Sequence, residues 1–191
     1  VNYQVAVPVT QDIADFRASV AIESAQSIRQ AGKIYTYEDY IFVNDKLQGI
    51  HIIDNSNPQN PVKIKYLKIP ANEDIAIRNN ILYADSGVDL VVFDISNMQS
   101  ISLINRAEDV FPAYRDVVPE GADFIDYSSY DPSTEVIVDF NIETRREPIN
   151  NDFAVISAND ASAESGGQGG SLARFNITGN HLYAGDNRNL N

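Results

Sequence analysis

Apolar residues along the chain fall in short runs rich in Ile, Val and Tyr, separated by polar turns. Runs of β-branched and aromatic residues bounded by turn formers predict strands. The runs also repeat. Shifting the sequence by 40 positions lays Tyr40-Ile41-Phe42-Val43-Asn44-Asp45 on Asn80-Ile81-Leu82-Tyr83-Ala84-Asp85. The same shift lays Gly49-Ile50-His51-Ile52-Ile53-Asp54-Asn55-Ser56-Asn57 on Asp89-Leu90-Val91-Val92-Phe93-Asp94-Ile95-Ser96-Asn97, with no gap between the two blocks. A third copy opens at Asn180-His181-Leu182-Tyr183-Ala184, which matches Asn80 to Ala84 at an offset of 100.

Each copy reads as four strands. A first strand (Tyr35 to Tyr37; Ile75 to Ile77; Arg174 to Ile177) meets a polar turn and a second strand follows, ending at Asp45 or Asp85. The third strand, Ile50 to Ile53 or Leu90 to Phe93, is apolar on both faces and ends in Asp54-Asn55-Ser56 or Asp94-Ile95-Ser96, where Asp and Ser side chains fold back on the backbone to fix a turn. The fourth, Val62 to Ile69 or Ile101 to Arg106, is placed at the outer edge, where Lys63, Lys65 and Lys68 would discourage strand-on-strand association. Four strands in about 40 residues is the arithmetic of a propeller blade, a unit that hides its faces only by standing beside sister copies. The fold class is therefore all-β: a β-propeller fragment of four-stranded blades with a long inter-blade insertion.

Leu90-Val91-Val92-Phe93-Asp94-Ile95-Ser96-Asn97 resembles the motif of LVIVD-repeat proteins, and Ile50-His51-Ile52-Ile53-Asp54-Asn55-Ser56-Asn57-Pro58 is a second, divergent copy. The stretch from Gly32 to Asn97 is similar to LVIVD-repeat lipoproteins of Bacteroidetes-type bacteria, and Leu172 to Asn191 is so in part. The resemblance implies an exported propeller, associated with the outer membrane or cell surface, with an acylated Cys upstream of Val1. It carries no catalytic residues over.

The division that follows is residues 1–30 as an N-terminal arm, 31–70 as blade one, 71–107 as blade two, 108–171 as an insertion, and 172–191 as the start of blade three. In the arm, Thr10 to Arg17 predicts a short helix with Thr10 as N-cap, and Ser19 to Glu23 a strand that supplies an edge to a blade or tethers the domain. The insertion predicts one alternating strand, with Val136, Val138, Phe140 and Ile142 opposite Glu135, Asp139 and Glu143, and a flexible Ser/Gly-rich loop over Ser162 to Ser171. Propellers close with at least about four blades, so two and a half predict one fragment of a longer polypeptide, the rest of it absent from this sequence, cleaved off or supplied by another chain.

Charge narrows the partners. Lys plus Arg number 14 against 27 Asp plus Glu, a formal charge of −13, which repels phosphate backbones and anionic membranes. With 0 Cys, zinc-thiolate sites, disulfides and thiol nucleophiles are excluded. No apolar stretch is long enough to span a bilayer.

Candidate chemistry is sparse. His51 and His181 occupy positions that sister repeats fill with aliphatics, which favours structural roles. No Gly-x-Ser-x-Gly occurs, and Gly166-Gly167-Gln168-Gly169-Gly170 lacks the Lys and hydroxyl of a phosphate loop. Asp45, Asp85, Asp89 and Asp186 lie in corresponding turns, where they are either solvated turn residues or a Ca²⁺ site converging on a central channel. Tyr114, Tyr127 and Tyr130 in the insertion are the candidate ligand-binding residues, suited to stacking on sugars. Three functions follow: a non-enzymatic scaffold docking on a protein partner such as an outer-membrane complex, a carbohydrate-binding or carbohydrate-processing surface protein, or an ion-stabilised structural propeller.

Overall fold

A computed structural model describes residues 2–115, 117–146, 155–157, 175–179 and 181–184. The chain begins with β1 (Tyr3–Asp12), α1 (Ile13–Ala18) and β2 (Ala21–Ser24). The first repeat follows as β3 (Ala31–Tyr37), β4 (Tyr40–Asp45), β5 (Gly49–Asp54) and β6 (Val62–Lys68), the second as β7 (Ile75–Arg78), β8 (Ile81–Ser86), β9 (Asp89–Asp94) and β10 (Ser102–Ala107). Then come β11 (Phe124–Asp126), β12 (Glu135–Arg145), β13 (Val155–Ser157), β14 (Phe175–Thr178) and β15 (His181–Ala184). Two compact units result: Val1–Asp15 with Ala113–Leu172, and Phe16–Pro112 with Ala173–Asn191.

The second unit holds the repeats as antiparallel meanders, ordered β2-β6-β5-β4-β3 and β10-β9-β8-β7, with β14-β15 as a two-stranded sheet. The four strands of each repeat are those the sequence predicts. The turn after the third strand is fixed as anticipated, because Asp54 Oδ1 accepts from Ser56 N at 2.9 Å and Asp94 Oδ1 from Ser96 N at 2.8 Å. The fourth strand of the first repeat, however, is not an edge: β2 pairs beyond it, with Ala21 opposite Lys68 and Ser24 opposite Lys65. The lysines expected at an edge lie one strand in.

A gap-free alignment also conceals a slip. Tyr40 stands opposite Asp54, whereas Ile81 stands opposite Asp94, so β5 and β9 correspond at an offset of 40 but β4 and β8 at 41. Three residues connect Asp45 to Gly49, but only Gly87 and Val88 connect Ser86 to Asp89, which absorbs the difference. In the slipped register Ile34, Ile41, Val43, His51 and Ile53 of the first sheet occupy the places of Ile75, Leu82, Ala84, Val91 and Phe93 of the second.

Stacking then follows from period two. Phe42, Ile50, Ile52 and Leu67 on one face of the first sheet interleave with Ile75, Ile77, Leu82, Ala84, Val91 and Phe93 in one buried cluster. The opposite face of the second sheet sends Ala76, with Phe111, against Phe175 and Ala184 of the third. Phe111 and Phe175 meet edge to face at 6.0 Å.

Polar groups close the first interface at both ends. Tyr37 Oη donates to Asn80 Oδ1 at 3.1 Å and accepts from Asn80 N at 3.0 Å. At the other end the buried Asn72 amide donates to Asp85 Oδ1 at 2.8 Å and Asp74 O at 2.9 Å, while its Oδ1 accepts from Asn44 Nδ2 at 2.7 Å. One side chain from the linker thus joins both sheets. Gly49 sits beside it with φ at 146°, where an added Cβ would fall 2.0 Å from Leu67 O and 2.9 Å from Ile69 N.

The first unit is a separate sheet, β12-β1-β11-β13. β1 runs antiparallel along β12 and parallel to β11. Strands from the N-terminal arm and from the insertion thus build one sheet over Ala6, Ile125, Tyr127, Tyr130 and Ile137. The alternating strand expected around Val136 is present, but a bulge opposite Val9 and Thr10 breaks its period, so Val136 and Ile137 are both buried. Thr10 lies in β1, and the helix is capped by Asp12, whose Oδ1 accepts from Ala14 N at 2.8 Å and Asp15 N at 3.0 Å. The Ser/Gly-rich stretch from Ser162 to Ser171 lies outside the described residues.

Two substitutions test this frame. Gly49→Ala is expected to lower stability by about 2–4 kcal/mol in urea unfolding, because both the φ and the carbonyl contact oppose a side chain. Asn72→Ala is expected to cost about 1–3 kcal/mol, since it removes the side-chain bonds that link Asn44 to Asp85 across the interface; a loss below about 0.5 kcal/mol would show that the tie is incidental.

Candidate binding surfaces of the first repeat sheet

Of the aspartates singled out from the turns, Asp45, Asp85 and Asp89 each have partners of their own. Asp85 accepts the amides of Glu73 and Asp74, each at 2.9 Å, besides the Asn72 side chain. Asp89 lies buried between Arg17 and Arg106, at 2.8 Å from each, and accepts Asp109 N at 3.1 Å. Asp45 accepts Gln30 N at 2.7 Å, Arg29 N at 3.1 Å and the His51 ring at 3.1 Å. Asp186 lies outside the described residues. Among the described residues no three His, Asp or Glu side chains come together in a metal-holding group. These acids fasten backbone and arginines.

The three tyrosines do converge. Tyr114 stands edge-on to Tyr127 at 5.0 Å and to Tyr130 at 5.6 Å. Yet Tyr127 and Tyr130 are buried, and their hydroxyls are engaged: Tyr127 Oη with Arg115 O at 2.9 Å, Tyr130 Oη with Ala113 O at 3.3 Å. Burial, followed by the neighbouring Tyr114 and Tyr127, pushes the Tyr130 phenol up to about 12. Only Tyr114 presents a ring to solvent.

Two features absent from the sequence reading emerge on the first repeat sheet. The first is an open apolar face. Ile34 and Ile75 hold equivalent positions, but Ile75 is 6% exposed beneath the first sheet while Ile34 is 66% exposed. Ile41 and Ile53 are half-buried where Leu82 and Phe93 are sealed. The face with which the second sheet meets its neighbour is, in the first, only partly covered.

The second feature is a polar cavity of about 220 Å³ on the β2–β6 side of that face. Register places Glu23, Tyr66 and His51 in one row across β2, β6 and β5. His51 packs on Tyr66 at 4.6 Å between ring centres and holds Asp45 through Nε2; its buried Nδ1 has no hydrogen-bond partner among the described residues. The segment before β3 closes the row, because Arg29 and Gln30 bind Asp45 through their amides. Asp45, Tyr66, Glu23, Gln26, Arg29, Gln48 and Lys68 line the space. Burial pushes the Asp45 carboxyl up, but the amides of Gln30 and Arg29 and the His51 ring outweigh it and hold the group below the usual carboxylate range. Burial, then the charges of Asp45 and Glu23, push the Tyr66 phenol up to about 12, so it keeps its proton and remains a donor. No short sequence motif marks this set; its members meet only through cross-strand pairing.

Asp89 gives a pH test of the fold. Burial raises it, yet the Arg17 hydrogen bond, the Asp109 amide and Arg106 together lower it below its ordinary value. A depressed folded value means stabilisation fully present above the unfolded value of about 3.9 and lost as pH falls through the folded one. Asp89→Asn is expected to flatten the stability profile below about pH 4 and to cost about 2 kcal/mol at neutral pH, measured by urea midpoints across pH. An unchanged acid limb would show that other carboxylates govern it.

Comparison with known proteins agrees with this repeat geometry and adds little beyond it. No curated protein and no solved structure gives a match to the chain. Residues 28–66 and 71–109 each match the family model of the LVIVD repeat, so the chain carries two LVIVD repeats in tandem, one for each stacked sheet.

Proposed function

We infer that the chain is a non-enzymatic interaction module, in which LVIVD-repeat sheets stand side by side as propeller blades and the outermost face receives another sheet of the same kind. The observation that carries this reading is the contrast between Ile34 and Ile75: the same aliphatic at the same repeat position is sealed in one copy and 66% exposed in the other. A stripe of Ile34, Ile41 and Ile53 on one sheet face is costly to leave in water and is already shaped for the stacking that its sister copy makes. The resemblance to exported LVIVD-repeat lipoproteins supports a place outside the cytoplasm, at the cell surface or outer membrane, with a protein partner supplying the covering sheet. A carbohydrate-binding role retains only Tyr114 of its three tyrosines as an accessible ring.

Sedimentation velocity tests the reading. The chain is expected to associate as concentration rises, and Ile34→Lys to weaken that association by roughly tenfold or more, with little change in melting temperature, because Ile34 is already exposed. Strictly monomeric behaviour up to the highest soluble concentration would remove the face from consideration.

A further inference from the structure

The cavity beside the open face has a chemistry of its own. Asp45 accepts two amides and the His51 ring, and Gln26 Nε2 donates to one oxygen of Glu23. Two cations remain. Among the described residues neither the Arg29 guanidinium nor the Lys68 ammonium enters an ion pair, although the chain carries a formal charge of −13 and Arg17, Lys33, Arg106 and Arg145 are all paired. The Tyr66 hydroxyl adds a neutral donor beside them. Donors that converge in one concave space, without acceptors of their own, suit an anion.

The geometry points to a binding site for a small hydroxy acid: its carboxylate between Arg29, Lys68 and the Tyr66 hydroxyl, its hydroxyl donating to the second oxygen of Glu23. The sign and number of charges select this class. A doubly charged phosphate would face Glu23 and Asp45 across the same small space and meet repulsion that a single carboxylate halves. Size sets the other limit. A cavity of about 220 Å³ has room for a sugar acid or a smaller compound. His51 and Asp45 act at one remove, fixing the Tyr66 ring and the Arg29 backbone, so the site is held in place before a ligand arrives.

Isothermal titration of the intact chain with D-glucuronate and with L-lactate tests the site, with D-glucose and inorganic phosphate as the neutral and the doubly charged comparisons. Saturable binding is expected for at least one of the two acids, with glucose giving none and phosphate binding more weakly. Arg29→Gln and Lys68→Gln are each expected to weaken the acid by roughly tenfold while leaving the melting temperature in place, since both side chains are exposed and unpaired. Failure of both acids to bind, equal response to glucose, tighter binding of phosphate, or unaltered affinity in both variants would each overturn the assignment. Ile34→Lys, which disrupts the neighbouring face, is expected to leave acid binding unchanged, so the cavity and the docking face fail separately.

Discussion

A four-stranded sheet with apolar side chains on both faces has no stable existence alone, and the repeat unit of this chain obeys that constraint at every level. In the second repeat the third strand, β9, is buried because neighbouring sheets stand against both faces of its sheet. Apolar contact is non-directional, so it brings the sheets together without saying how far one slides along the other. Direction comes from the polar ties at the two ends: Tyr37 with Asn80, and Asn44 through Asn72 to Asp85. Buried amides and carboxylates with fixed partners tolerate no slip, because any displacement leaves them unsatisfied. The apolar centre supplies most of the stabilisation, and Asn72 specifies the register.

Much of the repeat unit was legible because its logic is local. Strand lengths, turn positions and the Asp-x-Ser turns depend on residues close in sequence, and period two gives both faces. The slip between β4 and β8 was not legible. A hairpin turn shorter by one residue can be compensated within the strand, and the alignment of apolar positions does not change. The first unit was harder for a different reason. β1 does alternate Tyr3, Val5, Val7 and Val9, but Thr10 reads as a helix cap. Its partners, β11 and β12, lie more than a hundred residues away, a pairing that no local pattern encodes.

The candidate site was less legible still. Asp45 was visible as a turn acid, but its significance depends on the amides of Arg29 and Gln30 and on the His51 ring of the adjoining strand. Asp85 and Asp89 were visible for the same reason and prove to have unrelated tasks, one bracing the linker and one neutralising two arginines. Shared position in a repeat implied shared chemistry, and the environments differ. Tyr127 and Tyr130 show the converse: aromatic residues expected to meet a ligand lie in the core of a separate sheet.

Differences between the two repeats therefore carry more information than their likeness. Val91, in the sealed interface, is matched by His51 in the first sheet, and Asp89 by Gly49. A histidine where an aliphatic suffices costs burial of a polar ring, with Nδ1 left unmatched, about 1–3 kcal/mol. Such a cost persists in a repeat protein where the position does more than fill space. Here the ring holds Asp45 and Tyr66 at the rim of a cavity that the second repeat does not need, because its corresponding face is already covered. The first repeat sheet, with His51 where its sister carries Val91, is where this chain departs from its own pattern.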